Sequence, residues 1–431
     1  MMALGLGAIA MAQNGFNVPY SQYGIGDLYQ PFNMPMASGM GGVVYSRAGN
    51  NFVNPFNPAS YAAVQKESFV FDMGLNIEMN NLKDKNSSLY DADGNVSHIL
   101  VAFPFCKWWK TSIGLMPYSN VNYQSIHTTT DSNSYGSMKT VYEGVGGLSQ
   151  LTWGHAFNVG KYVSLGFNIN YLTGSIQKAI TYDFDQGDTN YFVNSRRLKD
   201  TYIRNFTFDF GIQYFQPLGE KYTLELGAVF TPKLTTSVTD KALIYTTNGK
   251  DELLDTIFPY KGEDGEYKSN LTQPMKIGVG VSILRNERWR LAGDFTYATH
   301  SGLFYEENPN INLFGSSVLK NVENDNMRMA LGFQWLGNRN ATQYIKRVGF
   351  SAGAHYETGK LILNIDNTTH NLNEFGMGVG VTMPMRKGRS LMNISFAYRH
   401  FGKLNPLMRE CWTIGISISS CETWFQKRKY N

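Results

Sequence analysis

Cysteine is nearly absent: Cys106, Cys411 and Cys421 are the only three in 431 residues. An odd count with no CxxC pair gives neither an even disulfide framework nor a zinc signature, and the seven histidines are scattered. Cys411 and Cys421 fall near opposite ends of one expected strand, too far apart to bridge each other. Charge is also sparse, at 17% of residues, and a dispersed net charge of +4 offers nucleic acid no basic surface. Beyond the first dozen residues no apolar run is long enough for a transmembrane helix. Catalytic signatures are missing too. No local Ser/His or Asp/His constellation occurs, although His300 follows Asp294 closely, and Gly376-x-Gly378-x-Gly380 alternates along a strand and opens no helix. No enzyme and no cofactor is expected.

The abundant residues point to a membrane barrel. Aromatics are 14% of the chain, glycine numbers 43, and asparagine is common. Mean hydropathy is slightly negative. Outward apolar residues alternating with inward polar ones average to such mild polarity in a transmembrane β-barrel. Phe69, Phe71, Met73, Leu75, Ile77 and Met79 are apolar at every second position, with Asp72, Gly74, Asn76 and Glu78 between them. The pattern recurs through Phe206–Tyr214, Tyr222–Phe230, Met275–Ile283, Trp289–Tyr297, Met327–Trp335, Phe375–Met383 and Trp412–Ile418. It predicts an all-β antiparallel barrel of about fourteen strands, an even number as single-chain bacterial barrels require.

Connections fix the orientation. Short turns (Cys106–Lys110, Asn158–Lys161, Pro217–Lys221, Leu284–Glu287, Pro384–Ser390) alternate with long polar loops near 80–96, 124–137, 173–200, 233–272, 300–325, 358–371 and 400–409. Short periplasmic turns and long external loops are the outer-membrane arrangement, with both chain ends in the periplasm. The first twelve residues read as the apolar part of a secretory signal, cut after Ala10-Met11-Ala12 so that Gln13 begins the mature chain. The usual basic stretch before them is missing, so the start is expected to be truncated. The expected organisation is thus 1–12 signal, 13–67 plug, 68–420 barrel and 421–431 periplasmic tail.

One stretch fits neither strand nor linker. Ala37–Ala62 is rich in Gly, Asn and Pro, and Pro55 and Pro58 bar it from a central strand. Yet Met40, Val43, Val44, Phe52, Val53, Phe56 and Tyr61 need burial, so a compact plug inside the barrel is expected. Gly39, Gly41, Gly42, Asn54, Pro55, Asn57, Pro58 and Ala59 are its defining residues. Inward charged positions Asp72, Glu78, Asp209, Glu225, Lys276, Arg290, Asp294, Arg328 and Glu374 are the candidate lumen-lining residues. Salt bridges and anchors for the plug are the plainer reading of them, and ligand contact the sharper one. Inward glycines (Gly74, Gly211, Gly227, Gly278, Gly280, Gly332, Gly376, Gly378, Gly380, Gly415) leave room for either a close-packed plug or a passage.

Gly39-Met40-Gly41-Gly42 followed by Asn57-Pro58-Ala59 resembles the N-terminal hatch of the FadL-type family of outer-membrane transporters for hydrophobic compounds. Tyr20–Leu28 and Trp424–Lys429 are similar to the ends of outer-membrane proteins of this broad type from Bacteroidota. The resemblance implies a fourteen-stranded barrel plugged by the residues before its first strand, which takes up apolar molecules and releases them sideways through a gap in the wall. Two departures stand out. No long loop carries a pair of apolar helices to gather substrate, only the patch Leu253, Leu254, Ile257, Phe258 and Tyr260, and the Asn-Pro pair is duplicated. The expected function is therefore uptake of an apolar or amphipathic small molecule such as a fatty acid. The alternative is a structural subunit of a larger outer-membrane assembly or secretion complex. Expected partners are outer-membrane lipid and, according to the function, a small apolar ligand, surface lipoproteins or another barrel, with no nucleic acid.

Overall fold

The computed structural model describes residues 18–85, 87–131, 136–185, 193–248, 252–259, 265–286, 288–299, 305–306, 325–338, 341–359, 362–365, 368–385, 390–403 and 408–423. The signal-like run 1–12, residues 13–17 and the tail from 424 lie outside them.

Fourteen antiparallel strands close into one barrel. They are β1 (Ser68–Lys83), β2 (Ser88–Pro104), β3 (Trp109–Asp131), β4 (Gly136–Val159), β5 (Val163–Asp185) and β6 (Asn194–Leu218). Then follow β7 (Tyr222–Thr231 and Leu234–Thr247) and β8 (Glu266–Gln273 and Lys276–Arg285), each of two pieces. The rest are β9 (Trp289–Ala298), β10 (Asn326–Trp335), β11 (Gly349–Glu357), β12 (Glu374–Pro384), β13 (Leu391–Gly402) and β14 (Met408–Thr423). Pro232 and Pro274 mark the breaks in β7 and β8, where each removes a backbone donor. β1 closes on β14 in continuous register from Ser68↔Thr423 to Lys83↔Met408.

Alternation decides which face meets lipid. On β1, Val70, Asp72, Asn76, Glu78 and Asn80 are buried inward while Phe71, Leu75 and Ile77 are exposed outward. The same holds on β10, where Met327, Met329, Leu331, Phe333 and Trp335 point out and Arg328 and Gln334 point in. Among the described residues nothing covers that apolar girdle, as expected of a barrel in a bilayer.

The wall is uneven in height. β9 and β10 are 10 residues each, close to one bilayer crossing. β4, β5 and β6 have 24, 23 and 25 residues and project well past it. This corrects the expected loops. Most of 80–96, 124–137, 173–200 and 233–272 is paired strand, because the polar residues there bond one another across β1–β2, β3–β4, β4–β5, β5–β6 and β6–β7. The projecting part has its own core of Val121, Tyr123, Leu148, Ile176, Ile203, Val238 and Leu271, which packs around Ile25.

One seam in the wall is incomplete. β2 pairs with β3 only from Ile99↔Leu115 to Pro104↔Lys110, the half nearest the short turns. Beyond it, after a register shift between Pro117 and Ser119, β3 continues against β4 alone. Its other edge is taken by the N-terminal segment: Asp27↔Asn120 and Leu28↔Ser119 pair antiparallel, and Val18 N–H donates to the Asn122 carbonyl at 2.7 Å. The first described residue therefore stands in the long-loop half, and the chain descends through the lumen to enter β1 at the short-turn end, where Thr423 also ends β14.

Candidate functional site: the plug, its socket and the seam

Residues 31–64 turn repeatedly through short helical pieces, Pro31–Asn33, Pro35–Ser38 and Pro58–Ala63, each opened by a proline whose missing N–H costs nothing there. Gly41 and Gly42 sit at φ +67° and +82°, a left-handed pair open to glycine at little cost. They turn the chain so that Met40 and Val43 bury completely against Ala292 and Ala330 of the wall. The duplicated asparagines are internal staples. Asn54 Nδ2 donates to the Val44 and Arg47 carbonyls, and Asn57 Oδ1 accepts from Ala59 N–H while its Nδ2 donates to the Tyr45 carbonyl at 2.7 Å. Pro55 offers its carbonyl to Asn168 of β5 at 3.0 Å.

The candidate lumen residues divide by what they hold. Asp294 accepts from Val44 N–H at 2.6 Å and Tyr45 N–H at 2.9 Å, and Arg328 donates to the Gly41 carbonyl at 3.0 Å. Asp72 accepts from Val53 N–H at 3.1 Å and contacts His98 at 3.2 Å. Glu225 pairs with Arg290 at 3.1 Å, Glu374 with His355 at 3.0 Å, and Glu78 with Arg399 at 3.6 Å. Lys276 stands apart from Asp294; with Asp209 it lines a cavity above the plug. Asp209 accepts from Asn170 at 2.8 Å and from the Thr231 hydroxyl.

Most of the wall glycines are the socket itself. A Cβ on Gly227 would overlap the Tyr45 carbonyl, on Gly332 and Gly353 the Met40 backbone, on Gly378 the Ser38 carbonyl, and on Gly211 the Asn57 side chain. Gly166, outside the expected set, meets Pro58 and Ala59 in the same way. Gly376 instead accommodates the ring of His355. Neutral anchors were also outside the charged set. Gln213 Nε2 donates to the Tyr45 carbonyl at 3.0 Å, and Asn168 Oδ1 accepts from the Tyr61 hydroxyl at 3.1 Å. Their inward place in the strand alternation was the available signal.

Cavities among the described residues lie beside this packing. One of about 170 Å³ lies among Leu28, Tyr29, Phe56, Tyr118, Asp209 and Lys276. Another of about 80 Å³ opens at the seam between Asp93 and Asn95 of β2 and Pro117 and Ser119 of β3, with Arg399 and Arg409 behind it. Leu28, Tyr29 and Pro117 border both. Arg409 holds Asp27 of the N-terminal segment at 2.8 Å and Asn80 of β1 at 2.8 Å, and Leu28 and Tyr29 of this segment form a wall shared by the two cavities.

The fold recurs in solved outer-membrane channels. The toluene transporter TodX of Pseudomonas putida superposes with a TM-score of 0.57 at 12% identity, over 93% of this chain and 100% of that one. The toluene transporter TbuX of Ralstonia pickettii gives 0.56 at 12% identity, over 90% of this chain and 97% of that one. The monoaromatic hydrocarbon channel CymD gives 0.54 at 13% identity, over 94% and 100%. No curated protein sequence matches the chain. One family model, BamG, matches residues 1–431 from end to end, and on that match the chain belongs to the BamG family.

Proposed function

We propose that this protein is a permanently plugged outer-membrane barrel that works as a fixed subunit of a larger outer-membrane assembly. The seating of plug in wall carries the reading: glycines of β6, β7, β10, β11 and β12 receive plug backbone or the Asn57 side chain at contact distance, and Asp294, Arg328, Asp72 and Gln213 bond its peptide groups. Moving such a plug strands several buried donors and acceptors at about 1–3 kcal/mol each, which suits a scaffold better than a gate. The projecting strands add an external surface with exposed Tyr90, Tyr142 and Tyr202, and tyrosine is enriched where proteins bind. Membership in the BamG family supports the same side.

Uptake of a small apolar or amphipathic molecule is the second reading, and the cavity beside Phe56 and Tyr118 favours it. Its volume of about 170 Å³ is in the range of an engineered protein cavity of about 150 Å³ that holds benzene. The structural likeness to hydrocarbon channels lends it the fold. Gentle purification of the tagged full chain from native membranes separates the two. The subunit reading expects another barrel or lipoprotein in constant ratio; recovery of the barrel alone with a bound apolar molecule would sink it in favour of uptake.

A further inference from the structure

The β2–β3 seam has two edges, and only one of them is covered. On β3 the N-terminal segment bonds Tyr118 to Asn122. On β2, residues Ser88 to Val96 pair with β1, and among the described residues no strand pairs with their other edge; Ser97 steps out of register and is buried with His98. Part of that edge lies at bilayer height, because Val96 and Gly94 stand opposite Leu75 and Ile77, which belong to the exposed apolar girdle. Hydrocarbon offers no hydrogen bonds, so an open sheet edge is not sustained there. The outward side chains of this stretch are Ala92, Gly94 and Val96, where the neighbouring β1 presents Met79, Ile77 and Leu75.

Charge says what kind of chain completes it. Asp93 lies directly opposite Glu78, and Asp91 opposite Asn80. Glu78 has Arg399, whereas Asp91 and Asp93 accept from the N–H groups of Ala92 and Gly94 and form no ion pair among the described residues. Like charges facing across a strand pair are unfavourable unless a cation joins them. The chain's own residues 1–17 contain no Lys or Arg.

We propose that the β2 edge from Ser88 to Val96 is a docking slot for an extended segment of a partner protein, which adds a strand to the wall and sets Lys or Arg against Asp91 and Asp93. Strand addition to a sheet edge draws its affinity from main-chain bonds and its specificity from alternate side chains. The inference rests on the subunit reading and gives the partner a place and a chemistry.

Photocrosslinking in native cells tests it, with the full chain carrying p-benzoylphenylalanine in turn at Tyr90, Ala92, Gly94 and, as a control on the far wall, Leu331. Heat-modifiable migration on a gel verifies that each variant is a folded barrel. The expected result is one protein adduct at 90, 92 and 94, absent at 331, and lost when Asp91→Lys and Asp93→Lys are introduced together. Crosslinks to the chain's own first seventeen residues, or no adduct while a partner still co-purifies, would overturn the slot and leave the subunit reading standing. Absence of both adduct and partner would overturn the two together.

Discussion

Gly227 of β7 faces the main chain of Tyr45, so close that a methyl group on Gly227 would overlap the Tyr45 carbonyl carbon and oxygen. The obstacle is backbone, not a rotatable side chain, and the same peptide is held by Asn57 and Gln213. Gly227→Val is therefore expected to dislodge the plug without touching the lipid face. In planar bilayers the variant should conduct where the native protein is closed, and its melting temperature should fall by several degrees. Gly94→Ala, where a Cβ meets only ordinary contact, should do neither. A silent, equally stable Gly227→Val would show that the socket is not what holds the plug.

Asp294 tests the polar half of the same grip. One of its oxygens takes both Val44 and Tyr45 N–H, in a site where the carboxylate is 6% exposed. Asp294→Ala leaves two buried donors unpaired, at a cost of about 1–3 kcal/mol each. Hydrogen exchange read by mass spectrometry is expected to rise in residues 40–47 while the β1–β14 closure stays protected. Unchanged exchange there would mean that packing alone fixes the plug.

Much of this was legible in the sequence, and the parts that were not have definite causes. β1 announces itself because every outward residue from Phe69 to Met79 is apolar and its inward ones are polar or glycine, with only Val70 as an exception. Above the bilayer the rule inverts: Val121, Leu148, Ile176 and Ile203 point inward and the outer face meets water. Gly174, at φ +159°, breaks the period as well, and the stretch from Thr173 on reads as a loop. Asp294 and Arg328 were legible as inward charged positions on their strands. Their target was not, because which peptide group a carboxylate grips depends on a plug path that no periodicity encodes. The seam left no trace either: Ser88–Val96 and Gln124–Asp131 are polar enough to be loops, and only pairing shows that they are strands that part company.

The projecting strands are expected to be a separable cooperative unit. Ile203 is fully buried in their core with Val121, Leu148 and Ile176. Ile203→Ala should cost about 2–5 kcal/mol. That loss should speed hydrogen exchange in residues 136–147 and 174–185 and leave β9–β12 unaffected. If the whole barrel loosened instead, the projection and the membrane wall would have to be one folding unit.

The N-terminal segment is the last element whose removal discriminates between readings. Asp27 joins Arg409 at 2.8 Å with about a third of its side chain exposed, and Arg409 is itself buried. Asp27→Ala leaves that guanidinium with Asn80 and the Phe401 ring and takes away the ionic tie between segment 18–30 and β14. Breaking a half-buried pair in this way weakens the segment without altering the plug below it. Accelerated protease cleavage within residues 18–30 is the expected outcome, with the melting temperature little changed. Under the uptake reading, release would join the inner cavity to the seam and raise the rate at which the cells take up a small apolar probe molecule. Under the subunit reading, uptake stays flat and the altered quantity is co-purification of the partner. A variant cleaved no faster than the native chain would show that main-chain pairing to Ser119 and Asn120 is sufficient by itself.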